Sequence, residues 1–275
     1  GAAQEHEAAY HHEKAQHESR EGSTSASGCE FLLYCRRTKA AQNDAYDLRP
    51  DILYRFSPVK AKRSGSRIVP ADWGPTVPQR VNAVFDSHFD KSCMIGNSMV
   101  EGFFMWSGLT NIRYIYNTGA VVNNVIGVLD LAPITLNVPG YYTDIYLMFG
   151  LNEVGDSVSS FINGYTKLVE YIRKYQPTAN IYVISVTPVT KEVDVNPDEV
   201  QSMARIQNFN AALLEFCEEN ECWYLDIYSM LLDDDGYLSD AYAFAGDGKH
   251  FEKSGYVAWA NYMKTHYVDE ALITE

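Results

Sequence analysis

Residues 144–150 have the sequence DIYLMFG, and this stretch decides the fold class. Its uninterrupted apolar run, with β-branched and aromatic side chains, ends at a glycine, which indicates a strand buried on both faces of a sheet. Residues 157–177 follow with the periodicity of an amphipathic helix that stops at Pro177, and residues 180–189, NIYVISVTPV, repeat the strand pattern. A strand, a helix and another buried strand in succession predict a βαβ unit and therefore a parallel sheet.

The same alternation extends from this unit in both directions. The further predicted elements are strands at 92–96, 111–117 and 222–227, helices from the first strand through Leu109, over 198–220 and over 252–267, and a weakly helical segment at 118–131. We therefore predict an α/β fold with a mostly parallel five-stranded sheet covered by helices on both faces. In such a sheet the functional site is expected beyond the carboxyl ends of the strands.

The chain before this pattern has a different character. We expect residues 1–28 to be a polar extension, helical or flexible, residues 29–83 an irregular segment packed on or leading into the main domain, and residues 84–275 the main domain. The extension holds four of the seven histidines but no Cys or Asp that would complete a tetrahedral set. We therefore expect no metal site there.

The five cysteines are too few and too irregularly spaced for a disulfide framework or a zinc pattern. Cys93 and Cys222 lie in apolar runs and are expected to be buried and inert. Cys29 and Cys35 are either free or joined in a local disulfide, and the sequence leaves both possibilities open.

Charge and hydropathy limit the partners. Residues 81–275 hold ten Lys and Arg against twenty-six Asp and Glu, a formal charge of −16, whereas residues 1–80 carry +2, which gives −14 for the whole chain. Such an acidic domain argues against nucleic acid as a substrate, because phosphate is bound by basic side chains. No apolar run reaches the ~18 residues that a membrane span requires. The sequence leaves the compartment open, although a start at Gly1 and a partly basic segment ahead of the main domain favour an extracytoplasmic or secreted protein whose leader has been removed.

Three polar loops follow predicted strands or precede a helix. Ser98, in IGNSMVEG, opens the helix after the first strand, where it can be a helix cap or a nucleophile beside free backbone N–H groups. Asn152, in FGLNEVG, can cap the next turn or donate to a developing negative charge. Asp247 and His250, in FAGDGKHF, have the spacing at which a carboxylate orients an imidazole base. The other histidines beyond the extension are His88, before the first strand, and His266, in a last helical turn where a favourable charge is the simpler role.

Taken together, these loops resemble the SGNH hydrolases, or GDSL-like lipases and acylhydrolases, over roughly residues 84–267. The family's Gly-Asp-Ser block is similar to Gly96-Asn97-Ser98, its oxyanion glycine to Gly119, its Gly-x-Asn-Asp block to residues 150–153, and its Asp-x-x-His block to residues 247–250. Two positions depart from the blocks, since Asn97 and Glu153 stand where the family has Asp.

The resemblance implies a three-layer α/β/α sandwich and acyl transfer from an ester, and we expect a bacterial, secreted esterase. Ser98 would be the nucleophile, with His250 and Asp247 completing the triad, and the oxyanion hole would consist of the Ser98 and Gly119 N–H groups and the Asn152 amide. No cofactor is implied. The twenty tyrosines and four tryptophans can stack on sugar rings and favour O-acetyl groups on carbohydrate as the substrate. The loop TPVTKEVDVNPDEV (187–200) is expected to select the substrate. An O-acyltransferase acting on a polysaccharide and a non-catalytic glycan-binding module remain as alternatives.

Overall fold

The structure, a computed structural model that describes residues 74–268, is built around a five-stranded parallel sheet. The strands lie in the order β2–β1–β3–β4–β5. Their bounds are β1 Ser92–Gly96, β2 Arg113–Tyr116, β3 Asp144–Met148, β4 Asn180–Ile184 and β5 Trp223–Leu225. β1, β3 and β4 are buried along their whole length, as their continuous apolar sequences predict. The predicted fold class is confirmed.

Eight α-helices occur among the described residues, after a 3-10 turn at Asp86–Phe89. Their bounds are α1 Ser98–Trp106, α2 Val125–Val128, α3 Ala132–Leu136, α4 Val158–Tyr175, α5 Lys191–Asp194, α6 Met203–Glu219, α7 Ile227–Met230 and α8 Lys253–Thr265. The sequence pattern missed α3, α5 and α7, because helices of four or five residues are too short to show a helical period. No helix within residues 74–268 is both long and apolar enough to cross a membrane.

The path of the chain puts helices on both faces of the sheet. β1 has β2 on one side and β3 on the other, so the chain reverses its direction across the sheet between these strands. Right-handed crossovers that run in opposite directions place their helices on opposite faces. On one face the rings of Phe103 in α1 and Trp259 in α8 lie 4.4 Å apart, and on the other Phe161 in α4 and Phe209 in α6 lie 4.5 Å apart.

The segment just before the main domain is tied to the edge of the sheet. Val77 N donates to Tyr224 O of β5 at 2.9 Å, and Val84 N donates to Lys264 O of α8 at 2.8 Å. Packing on the domain therefore starts before residue 84. Cys93, Cys217 and Cys222 are buried, while Cys29, Cys35 and the four N-terminal histidines lie outside the described residues.

Candidate active site

Two polar loops leave the sheet where the chain reverses its direction across it. Ser98 follows β1 and Asn152 follows β3, and these strands are neighbours. Ligand sites of open α/β sheets lie at such a point, because the diverging loops leave a crevice there. The third polar loop, which holds Asp247 and His250, meets the first one at this place.

The turn from β1 into α1 positions Ser98. A Cβ atom on Gly96 would lie 2.4 Å from a Val100 methyl group and 2.5 Å from the Met148 carbonyl oxygen, so the turn requires glycine. Asn97 is the N-cap residue, and its Oδ1 accepts from Met99 N at 3.0 Å. The capping role considered for Ser98 therefore belongs to Asn97.

Ser98, His250 and Asp247 form a continuous chain of hydrogen bonds. Ser98 Oγ lies 2.9 Å from His250 Nε2, and His250 Nδ1 lies 2.5 Å from Asp247 Oδ2. The His250 side chain is 17% exposed and that of Asp247 is 24% exposed, so solvent reaches the group from one side. With Nδ1–H donating to the carboxylate, Nε2 can accept the hydroxyl proton of Ser98.

The loop around Asp247 keeps its carboxylate ionised. Burial by itself would raise the Asp247 pKa, but the hydrogen bonds from His250 and the backbone N–H of Lys249, together with the charge of His250, outweigh it and lower the pKa. Asp247 Oδ1 accepts from Lys249 N at 2.9 Å and from His250 N at 3.0 Å. The same loop thus fixes the carboxylate and the imidazole relative to each other.

Gly119 lies in a tight turn after β2. Ala120 N donates to Asn117 O at 3.0 Å, and Gly119 has a φ of +75°, which glycine adopts without strain. The turn is tied to the helix that carries Ser98, since the Thr118 hydroxyl donates to Glu101 Oε2 at 2.5 Å.

Asn152 contacts the same turn from the other side. Its Nδ2 donates to Ala120 O at 3.2 Å, and the side chain is partly buried. An amide carries two N–H bonds, and this contact uses one of them. The side chain is therefore directed across the edge of the sheet toward the loop after β2.

Glu153 is a feature of the site that sequence reasoning did not assign. Its side chain is completely buried, with Oε1 accepting from Val122 N at 2.7 Å and Oε2 from Gly150 N at 2.9 Å. Burial raises the Glu153 pKa to about 7, although the two backbone hydrogen bonds oppose this shift. The available signal was an acidic residue next to Asn152, in the turn directly after the central strand.

The remaining histidines do not join this group. His88 lies in the 3-10 turn before β1, with its ring 5.3 Å from that of Tyr267. His266 is buried, and burial lowers its pKa, so the expectation of a favourable helix-end charge is wrong for this residue. Within residues 74–268, no three His, Cys, Asp or Glu side chains come together as a metal site.

The loop at 187–200 contacts the loop that carries Asp247 and His250. Thr190 N donates to Gly248 O at 3.0 Å, and Lys249 Nζ lies 2.7 Å from Glu199 Oε2. Gln201 Nε2 then donates to Leu151 O at 3.3 Å, next to Asn152. This segment therefore borders the site, as a loop that selects substrate must.

Solved structures share the fold. A Streptococcus pneumonia protein whose assignment as a platelet activating factor is itself provisional has a TM-score of 0.55 and 21% identity, over 68% of this chain and 89% of its own. A GDSL-like lipase from Bacteroides thetaiotaomicron has a TM-score of 0.51 and 16% identity, over 70% and 91%. Phospholipase A1 from Streptomyces albidoflavus has a TM-score of 0.50 and 12% identity, over 64% and 98%. No curated protein matches the chain.

The family comparison is more specific than these structural similarities. The model of the GDSL-like Lipase/Acylhydrolase family matches residues 95–258, which is more than half of the chain and includes Ser98, Asn152, Asp247 and His250. The resemblance found in the sequence is thereby confirmed, and the chain belongs to the GDSL-like lipase/acylhydrolase family of serine hydrolases that act on esters.

Proposed function

We propose that the chain hydrolyses carboxylic esters through an acyl-enzyme on Ser98. The observation that carries this proposal is the hydrogen-bonded series Ser98–His250–Asp247, with 2.9 Å between Ser98 Oγ and His250 Nε2. His250 takes the hydroxyl proton as Ser98 Oγ attacks the acyl carbonyl, and it returns the proton to the departing alcohol. Water then attacks the acyl-enzyme with the same residue as base, which releases the acid and restores Ser98.

The negative charge on the carbonyl oxygen is assigned to three donors. These are the N–H groups of Ser98 and Gly119 and the second N–H bond of the Asn152 amide. The contact between Asn152 and Ala120 O supports this assignment, because it holds the amide beside the Gly119 turn. One such donor contributes about 3 kcal/mol to the transition state, or about a hundredfold or more in rate.

For the substrate we propose an O-acetyl group on carbohydrate. The support is an exposed aromatic residue in the loop that carries the base, since Phe244 N donates to His250 O at 2.8 Å and Phe244 is 45% exposed. An exposed ring presents a flat apolar face, against which a sugar ring can pack.

The test is hydrolysis of p-nitrophenyl acetate, butyrate and octanoate at pH 8 by the full chain and by Ser98→Ala. We expect the variant to lose at least about a thousandfold in kcat. Ser159→Ala, at an exposed position in α4, is the matched control and should keep full activity. Equal activity in Ser98→Ala and wild type would refute the proposal.

The finer assignment needs a natural substrate. We expect the acetate ester to be the best of the three, and acetate to be released from an acetylated polysaccharide. A preference for octanoate would instead indicate a lipase. Product analysis with a sugar acceptor separates hydrolysis from transfer, since a transferase would yield an acylated sugar in place of free acid.

A further inference from the structure

The Glu153 carboxylate joins two loops that the sheet itself does not join. It accepts from Val122 N, three residues after Gly119, and from Gly150 N, two residues before Asn152. These loops follow β2 and β3, which lie on opposite sides of β1 and share no backbone hydrogen bonds as strands. Ser98, at the end of β1, lies in the gap between them.

The contact requires a carboxylate. Both oxygens face backbone N–H donors, and an ionised carboxylate is a pure acceptor at both positions. An amide keeps one acceptor oxygen and turns a donor toward the other N–H, so one loop loses its partner and a buried N–H group is left unsatisfied. In a protonated carboxyl group the hydroxyl oxygen is the weaker acceptor, so one of the two hydrogen bonds is weakened.

We propose that Glu153 is a positioning residue, which in its ionised form holds the Gly119 and Asn152 loops at the separation at which both donate to the oxyanion at Ser98. This inference rests on the proposed function, since it presupposes those two donors. Glu153 itself touches no reacting atom.

The surroundings of Glu153 allow its carboxyl group to change its charge near neutral pH. Asp156, in the same turn, repels the charge, and Tyr165 of α4 faces it with a hydroxyl group that accepts from Phe149 N at 3.2 Å. No basic side chain within residues 74–268 forms an ion pair with Glu153. With a pKa of about 7, Glu153 becomes charged over the neutral range, so its two hydrogen bonds to the loops reach full strength as the pH rises through that range.

The decisive variant is Glu153→Gln, which keeps the shape and removes one acceptor. We expect kcat for p-nitrophenyl acetate at pH 8 to fall about 10- to 100-fold with KM within about threefold, because the oxyanion exists only after binding. Asp156→Asn is the matched control. It removes an exposed charge from the same turn and should keep full kcat, while moving the neutral ionisation to lower pH.

The wild-type protein supplies an independent measurement. Its kcat should rise with pH through the neutral range, and Asp156→Asn should move this rise to lower pH, because the Asp156 charge opposes the ionisation of Glu153. An unchanged pH profile in Asp156→Asn would overturn the inference even if Glu153→Gln failed to fold.

Two outcomes separate this inference from the proposed function. An inactive Ser98→Ala beside a Glu153→Gln variant with kcat within twofold of wild type would overturn the role of Glu153 alone. A Ser98→Ala variant as active as wild type would overturn the proposed function, and the inference with it.

Discussion

The Asp247 loop and the Glu153 turn each hold a carboxylate at the same edge of the sheet, but the pKa values of the two groups are shifted in opposite directions. Asp247 is partly exposed, accepts from His250 Nδ1 and two backbone N–H groups, and has a lowered pKa. Glu153 is completely buried, accepts from two backbone N–H groups, and has a pKa raised to about 7.

Hydrogen bonds alone do not explain this difference, because both carboxylates have them. Asp247 also faces an imidazole that can become positive, whereas Glu153 has lost its hydration and faces Asp156. Desolvation therefore raises the pKa of Glu153, whereas the hydrogen bonds and charge of His250 lower the pKa of Asp247. One site can thus hold a carboxylate that stays charged and another that switches its charge near neutral pH.

The largest expected effect on kcat comes from removing the charge of the Asp247 carboxylate. In Asp247→Asn, the new NH₂ group faces His250 Nδ1 and favours the tautomer with Nδ1 as acceptor and Nε2–H directed at Ser98. That imidazole cannot accept the hydroxyl proton, so we expect kcat to fall about a thousandfold or more. Steady-state kinetics at pH 8 measure the loss.

Asp233→Asn is the control for this change. Asp233 Oδ1 accepts from Asp235 N at 3.0 Å and Tyr237 N at 2.9 Å, a backbone arrangement like that of Asp247 but without an imidazole. It should keep kcat within about threefold. If Asp247→Asn were equally mild, the Asp247 carboxylate would not orient the base.

A smaller effect is expected from the donor that the Glu153 turn holds. Asn152→Ala should lower kcat about a hundredfold, because it removes one oxyanion donor. If Glu153 acts through this residue, adding Glu153→Gln to Asn152→Ala should cost less than Glu153→Gln costs alone. Strictly additive losses would mean that the two residues act independently. Asn123→Ala removes an exposed amide of the loop after β2 that binds Ser160, and it serves as the control.

The smallest effect concerns stability. The folded pKa of Glu153, about 7, lies above its unfolded value, so its contribution to stability is complete below pH ~4.3 and is lost as the pH rises through 7. Asp247 acts in the opposite direction. Because its pKa is lowered in the folded protein, it stabilises the fold at pH values above its unfolded pKa, and this stabilisation is lost as the pH falls through its folded pKa.

Thermal or urea unfolding at pH 5 and pH 8 measures this comparison. Between these values wild type should lose about 2 kcal/mol of unfolding free energy relative to Glu153→Gln. Parallel pH dependence in the two proteins would mean that Glu153 is not a buried group that titrates in this range.

Much of the fold could be predicted because its signals are local. β1, β3 and α4 lie where their apolar runs and helical period indicate. The bounds were less accurate where distant residues intervene. The pattern at 180–189 predicts a long strand, yet β4 ends at Ile184, because Asn210 of α6 binds both backbone groups of Val186, its Oδ1 accepting at 2.7 Å and its Nδ2 donating at 2.9 Å.

The sequence by itself determined the succession of the five strands and the longer helices along the chain, the family, and the candidate residues Ser98, Asn152, Asp247 and His250, because apolar periods and short motifs are properties of neighbouring residues. Only the tertiary structure decided that Asn97 caps α1 and that the Glu153 carboxylate spans two loops. Glu153 and Val122 are 31 positions apart in the chain, and both the desolvation of the carboxylate and its hydrogen bonds exist only once the sheet and α4 enclose it.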